Sequence, residues 1–461
     1  MLIDPRVQLR FDRGTILIAS AGSGIDPAQL PGVSWDPRVR EWRAAAESYS
    51  SLVDELSRGG VRYSDTTPKH EAPVAGANVP ELRWYQREAL ATWAAAGRRG
   101  VIALPTGAGK TVVAAAAIAR EAVASLCLVP TCVLLDQWAR ALSQCLTGIG
   151  RLGDGERDVT PITVATYASA ITWAPRIGDR FGLVVVDEAH HVGGQCPGEV
   201  LEMLVAPARL GLTATPPTGE AALALERHVG PIVYSLGIDD LVGDALADFD
   251  LITIPIRLTP AERARYDAAR KLFSTAFVAF QRASPGADWE AFMRAAMRSE
   301  AGRTAVAAWR ASREVVAYPD DKRRVVGELL AKHAAQRVLV FTGDNRTAYA
   351  IARELLVYPI THEIGRKERA RALDRFNTGE SNVLVSAQVL DEGFDVPAAE
   401  IAIVVGGTAS ARRHVQRIGR VLRPAPGKRA CVYELAVAET VEVDQVRRRR
   451  SGITQAGIGR A

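Results

Sequence analysis

The chain is short of cysteine and has no long apolar run. Its five cysteines, Cys127, Cys132, Cys145, Cys196 and Cys431, are odd in number, scattered, and nowhere arranged as Cys-x-x-Cys. That argues against a disulfide framework and against a structural zinc site, and an iron–sulfur cluster would need four ligands in a tighter group. No stretch approaches the roughly 18 uninterrupted apolar residues of a membrane-spanning helix. Met1 to Arg13 lacks the basic end and apolar run of a signal peptide. A soluble, cytoplasmic protein is expected. No short internal repeat is present either.

What is there is ordinary globular material: 461 residues, 48% hydrophobic and 24% charged. That length exceeds what one hydrophobic core supports, so several domains are expected. The net charge of +5 is a mild basic bias, compatible with a polyanionic partner. It is unevenly placed, because Arg257 to Arg324 holds 14 Lys and Arg against 8 Asp and Glu.

The pattern predicts four parts. Residues 1–77 read as a small α+β domain with a strand at Thr15 to Ile18 and a helix from Arg38 to Arg58, followed by a Pro- and Gly-containing linker from Thr66 to Pro80. Residues 78–238 show apolar runs separated by helical segments, the mark of a parallel sheet with crossover helices. A second such series occupies 239–258 and 321–461, and 259–320 has helical composition throughout, as an insert. The expected fold class is α/β, with two parallel-sheet lobes.

The strongest local signal is Leu104-Pro105-Thr106-Gly107-Ala108-Gly109-Lys110-Thr111, between an apolar strand and an Ala-rich helix. Backbone N–H groups of such a loop enclose phosphate oxygens; Lys110 reaches the β- and γ-phosphates, and the Thr111 hydroxyl ligates Mg²⁺. Leu104 stands where the strict motif has Gly, so the strand–loop–helix context carries the reading. Further on, Leu183 to Val186 runs into Asp187-Glu188-Ala189-His190. Alone, an acidic pair at a strand end is more often a polar loop. Behind a phosphate loop it reads as catalytic, with Asp187 holding Mg²⁺ and Glu188 orienting and deprotonating the attacking water. His190 and His191 lack further ligands at metal spacing and read as coupling or structural residues. In Gln416-Arg417-Ile418-Gly419-Arg420-Val421-Leu422-Arg423, Arg420 and Arg423 share a helical face and are candidate arginine fingers.

These motifs, with Gln86 in Leu82-Arg83-Trp84-Tyr85-Gln86, Gly211-Leu212-Thr213-Ala214-Thr215 and the run Val389 to Pro397, follow the order of superfamily 2 helicases. Ile360-Thr361-His362, the run Ser386 to Gly393 and Gln416 to Pro424 resemble archaeal and bacterial XPB-type DNA helicases, and the likeness extends over nearly the whole chain. The resemblance implies two RecA-like lobes, a damage-recognition-like first domain and a thumb-like module at 259–320. It implies ATP and Mg²⁺ as cofactors and a DNA-dependent ATPase moving 3′ to 5′ in repair or transcription. Gln86 and Arg83 would recognise adenine, Gln416 would join the arginines in the catalytic set, and Thr213 and Thr215 would couple hydrolysis to movement. Gly393 and Asp395 would link the nucleotide to the track, and Thr131, Thr166 and Thr342 would touch the strand. Arg270 and Lys271 of the insert are further candidate phosphate contacts, beside a Phe273, Phe277, Phe280 stripe that reads as core. Where the family carries Arg-Glu-Asp after Thr-Ala-Thr, this chain reads Pro216-Pro217-Thr218-Gly219-Glu220. The charged wedge is thus lacking, which leaves room for an ATP-gated scaffold serving a partner nuclease. Backbone-gripping motifs also leave an RNA helicase open.

Overall fold

Apolar residues at Val7, Leu9 and Phe11 alternate with polar ones, so the first strand, β1 (Val7–Asp12), buries Val7 and Leu9 and exposes Gln8 and Arg10. β2 (Thr15–Ala19) returns antiparallel through Arg13 and Gly14, both at positive φ. A Cβ on Gly14 would lie 2.4 Å from Met203 Cγ, so conformation and space both demand glycine there. The expected Arg38 to Arg58 helix is corrected by the structure. Glu41–Ala45 is a strand, β4, paired antiparallel with β2 on one side and with β3 (Ser34–Asp36) on the other; the helix α1 is only Tyr49–Arg58. Sheet partners on both sides satisfy the backbone of this segment, which outweighs its helical spacing. β5 (Tyr63–Asp65) adds parallel to β1, giving the order β3-β4-β2-β1-β5.

The computed structural model describes residues 7–20, 25–66, 78–237, 240–241, 249–361, 363–387, 399–407 and 430–455. They fall into two compact units that divide between Gly237 and Ile238.

In the first unit the α+β domain is followed by α2 (Trp84–Ala95), β6 (Arg99–Ala103), α3 (Lys110–Glu121), β7 (Ser125–Val129), α4 (Cys132–Ser143), β8 (Ile149–Gly153), β9 (Glu156–Arg157) and β10 (Ile162–Thr166). Then come α5 (Tyr167–Ile177), β11 (Leu183–Val186), α6 (Gly198–Glu202), β12 (Ala208–Thr213), α7 (Glu220–His228) and β13 (Ile232–Ser235). The sheet order is β13-β6-β12-β11-β7-β10-β8-β9, parallel except for the final β8–β9 hairpin. β7, β10, β11 and β12 are buried at every position, as strands covered on both faces must be.

One buried cation joins the small domain to this sheet. Arg209 on β12 is fully buried and donates to the carbonyls of Leu201 (2.9 Å), Leu204 (3.0 Å) and His228 (2.6 Å). Its counter-charge is Glu47 of the small domain, 3.5 Å away, which also lies 3.2 Å from His228 Nδ1. Val205 completes the small domain's apolar core from the same side.

The second unit comprises β14 (Phe249–Ile256), α8 (Pro260–Ala283), α9 (Trp289–Ala296), α10 (Glu300–Ala317), α11 (Asp320–Lys332), β15 (Val338–Thr342) and α12 (Asn345–Leu355). It continues with β16 (Tyr358–Ile360), α13 (Arg366–Thr378), β17 (Val383–Ala387), β18 (Ile401–Val404), β19 (Ala430–Val437) and α14 (Val441–Gln455). Its sheet is wholly parallel, in the order β14-β19-β18-β15-β17-β16. α8, α9 and α10 share a separate core of Phe273, Phe292, Ala296, Val306 and Ala308, with Phe277 and Phe280 packed on it. The aromatic stripe is therefore core. Lys322 on α11 is fully buried; its Nζ donates to Val316 O and Val405 O (2.7 Å each) and to both carboxylate oxygens of Glu442 on α14 (2.9 Å). No helix among the described residues is long and apolar enough to cross a membrane.

Candidate nucleotide site

The loop after β6 turns on two left-handed glycines, Gly107 at φ 91° and Gly109 at φ 79°, and delivers Lys110 as the first residue of α3. Gly109 is doubly constrained, because a Cβ there would also come within 2.6 Å of Gln86 Nε2. α2 clamps the loop: Tyr85 Oη and Gln86 Nε2 each donate to the Ala108 carbonyl at 2.9 Å. Gln86 Oε1 in turn accepts from the Arg83 backbone N–H at 2.9 Å, the N-terminal cap of the helix. Leu104 donates its N–H to Thr213 O at 2.9 Å and is fully buried. That position is the end of the strand, inside the sheet, so the missing glycine leaves the concave part of the loop unaltered. The Lys110 ammonium lies over this concavity, 3.2 Å from Leu104 O. The first-turn N–H groups of Lys110 and Thr111 meet no protein acceptor among the described residues, the ordinary state of a helix N-terminus, ready for an anion. Thr106 and Gly107 are half-buried at the rim.

β11 carries Asp187 to the same sheet edge. The carboxylate is 5% exposed and accepts a hydrogen bond from Trp138 Nε1 at 2.7 Å; its backbone carbonyl accepts from Tyr167 Oη. Burial pushes the Asp187 carboxyl above its usual range, and the nearby Lys110 ammonium and the Trp138 N–H oppose this without cancelling it. A carboxylate so dehydrated, with the Thr111 hydroxyl at the facing helix start, is a donor set that fits a hard divalent cation. Its buried neighbour, the Cys127 thiol, is pushed up strongly by burial and then by the Asp187 charge, so it is inert.

Glu188 adopts φ 47°, a left-handed conformation rare for a residue with a side chain and costing about 1–3 kcal/mol. Its Oε2 lies 3.3 Å from His190 Nδ1, which is 3.1 Å from Thr213 Oγ1. Thr213 Oγ1 donates to Thr215 O and accepts from Thr215 N, both at 3.2 Å. Thr213 Oγ1 has given its own proton to Thr215 O, so it can only accept from Nδ1, and the arrangement calls for the tautomer protonated there. His190 is thus a bridge between the acidic motif and the Thr213–Thr215 turn.

The threonines expected to touch the nucleic acid stand after strand ends, and their hydroxyls are engaged in local hydrogen bonds. Thr131 caps α4 by accepting from Leu134 N (3.3 Å), and Thr166 caps α5 by accepting from Ser169 N (3.2 Å). Thr342 is fully buried and donates to Asp344 O at 2.9 Å. Arg270 rests its guanidinium over Phe273, 5.3 Å from the ring centre, while Lys271 is exposed. After Thr215, Gly219 at φ 65° starts α7, so this segment opens a helix. Gly393, Asp395, Gln416, Arg420 and Arg423 lie outside the described residues. Sequence reasoning missed Tyr85, Trp138 and Tyr167; only Tyr85, beside Gln86, had a local signal.

Three family models match the chain: the Xeroderma pigmentosum group B helicase damage recognition domain over residues 9–66, the res subunit of type III restriction enzymes over 80–218, and the helicase conserved C-terminal domain over 321–425. The chain is 33% identical to the DNA 3′-5′ translocase XPB2 of Sulfurisphaera tokodaii, covering 96% of this chain and 100% of that one. It is 28% identical to the DNA 3′-5′ helicase XPB of Mycobacterium tuberculosis, over 82% of this chain and 65% of that one. The solved Hef helicase domain of Pyrococcus furiosus shares the fold with a TM-score of 0.51 at 19% identity, covering 80% of this chain and 98% of that one. With its phosphate loop, buried Asp187 and helicase lobes in this order, the chain belongs to the XPB-type superfamily 2 helicases.

Proposed function

We propose that the chain is an ATP-dependent DNA translocase, moving 3′ to 5′ in repair- or transcription-linked processing, with Mg²⁺ as its metal. The observation that carries this is the meeting of Lys110, Asp187 and the Glu188–His190–Thr213 bridge on one sheet edge. The names of the archaeal and bacterial relatives support the substrate and direction.

When bound, Mg²⁺-ATP supplies the phosphoryl bond whose hydrolysis drives movement. The amides from Thr106 to Gly109 and at the start of α3 would hold phosphate oxygens, and Lys110 would turn from the loop carbonyls toward them. Thr111 and Asp187 would hold the metal. Glu188 would orient and deprotonate water, and Gln86 with Arg83 would contact adenine. Thr213 and Thr215 would relay the change to the rest of β12. Gln416, Arg420 and Arg423, and the link through Gly393 and Asp395, are assigned by the family motif order. Strand contacts at Thr131, Thr166 and Thr342 would use loop N–H groups, since the hydroxyls are engaged; Arg270 and Lys271 add positive field along α8.

The test is ATP hydrolysis with and without DNA, using the Glu188→Gln variant. Retained nucleotide binding with turnover reduced by about 10²–10⁴ is expected. Hydrolysis by the variant at the parent's DNA-stimulated rate would overturn the assignment. The Pro216 to Glu220 segment, which opens a helix and lacks the charged wedge, favours a second reading in which the chain remodels DNA for a partner nuclease with little unwinding. Strand displacement from a 3′-tailed duplex by the chain alone would decide against that reading.

A further inference from the structure

The main chain of Asp187 is pinned on both sides. Its N–H donates to Leu128 O on β7 at 2.9 Å, and its carbonyl accepts from Tyr167 Oη at the start of α5. Rotation of the side chain about its two bonds remains, and that rotation decides where the carboxylate oxygens point. Trp138 Nε1 donates to Oδ2 at 2.7 Å and fixes it from a third element, α4. The Glu188 N–H also bonds to this carboxylate, but it belongs to the next residue of the same segment. The indole is itself held firmly. Leu135, Trp138 and Leu142 recur at helical spacing on the buried face of α4.

A buried indole N–H needs an acceptor, and the fold has an ordinary way to supply one. Trp93 on α2, fully buried, donates to the Arg209 carbonyl at 3.0 Å. Trp138 instead meets a carboxylate, at the shorter distance of a charge-assisted bond. The nearby positive charge on that carboxylate is the Lys110 ammonium, whose Nζ is hydrogen-bonded to Leu104 O at 3.2 Å rather than to Asp187. An indole N–H orients a buried anion without neutralising it, so the carboxylate still calls for a cation. Hydrogen-bond donors in this relation hold ligating carboxylates in place and raise their affinity for metal.

We propose that Trp138 is a positioning residue for the divalent metal: its N–H keeps Asp187 in the ligating rotamer, so that metal affinity depends on it and nucleotide affinity does not. The inference rests on the reading of Asp187 as a metal-holding carboxylate and deepens it, by extending the metal site to α4, which carries no group of the phosphate loop.

The test follows free Mn²⁺ by its paramagnetic resonance signal as it is titrated into the full chain saturated with ADP. Parent, Trp138→Phe, Trp93→Phe and Asp187→Asn chains are compared, with thermal melts to establish folding. Trp138→Phe keeps an aromatic ring and loses the N–H. Mn²⁺ binding about 10–100-fold weaker is expected, with ADP binding in EDTA unchanged. ATP turnover by this variant should recover toward the parent's as Mg²⁺ is raised, because half-saturation by metal changes and the limiting rate does not. Mn²⁺ binding by Trp138→Phe at the parent's affinity would overturn the assignment. So would an equal loss from Trp93→Phe, which would make the effect a general loosening of the fold. A matching loss of ADP binding in EDTA would also count against it, since the phosphate loop would then have moved. A second measurement needs no change at Trp138: with tryptophan isotope-labelled, Mg²⁺ added to the ADP-bound parent should shift an indole N–H resonance, and Asp187→Asn should abolish the shift. If no indole resonance moves, the proposal fails. Undiminished Mn²⁺ binding by Asp187→Asn would sink the metal reading of Asp187 itself, and this inference with it.

Discussion

His190 Nδ1 lies 3.1 Å from Thr213 Oγ1, joining the acidic motif at the end of β11 to the Thr-Ala-Thr turn at the end of β12. The same nitrogen is 3.3 Å from Glu188 Oε2, so one imidazole touches both the proposed base and the proposed relay. Thr213→Val keeps the shape and removes the oxygen. The expected outcome is a lower distance moved per ATP hydrolysed, with hydrolysis affected less. Measuring ATP turnover and displacement of a DNA-bound third strand in one reaction checks it, and equal losses in both would count against a coupling role.

Gly109 is held at φ 79° with Gln86 Nε2 where its Cβ would be. Gly109→Ala should therefore cost about 1–2 kcal/mol of backbone strain and push Gln86 off the Ala108 carbonyl. Weaker nucleotide binding and a lower melting temperature are expected, read by calorimetry with and without ATP. Gly379→Ala, at the left-handed φ of 80° with nothing within 4 Å of its Cβ, is the comparison that isolates strain from crowding.

Glu47 is the counter-charge of buried Arg209, whose own pKa burial pulls down to about 10. Burial works to raise the Glu47 pKa, but the His228 hydrogen bond and the Arg209 and Arg227 charges outweigh it, and the net shift is below 4.5. The folded value is thus lower than the unfolded one. The stabilisation is complete above the ordinary carboxylate range and is lost as pH falls through the depressed pKa. Glu47→Gln should destabilise the chain by about 1–3 kcal/mol at neutral pH and flatten the acid limb of stability against pH. Urea midpoints across that range check both.

Lys322 and Glu442 make a buried pair between α11 and α14. Removing one partner leaves the other charge stranded, so Lys322→Met or Glu442→Gln alone should cost about 3–5 kcal/mol, and the double replacement less than the sum. A double-mutant cycle in urea measures the coupling. Additive losses would show that the pair is not the unit of stability.

Most of the sheet strands were legible because a strand covered on both faces reads as an unbroken apolar run, as in Leu183 to Val186. Strands not covered on both faces left weaker signals. β13 is an edge strand with Ile232 exposed by 47%, and β4 carries a helix-like spacing that only its two sheet neighbours override. In the candidate site, Lys110, Thr111, Asp187 and Glu188 could be named as candidates because phosphate and metal chemistry restricts residue types at fixed local spacing. Trp138 could not, since its N–H meets Asp187 across 49 residues and no local pattern records that distance.

By itself, then, the sequence determined the family and singled out a candidate phosphate loop, because both depend on short runs whose chemistry is local. Tertiary structure decided where uncommitted charge is left. Arg209 and Arg310 look alike in the chain, yet one is sealed among carbonyls with Glu47 and the other is exposed on α10. Burial and pairing depend on segments brought together by folding, so only the packed chain separates a structural arginine from a solvated one.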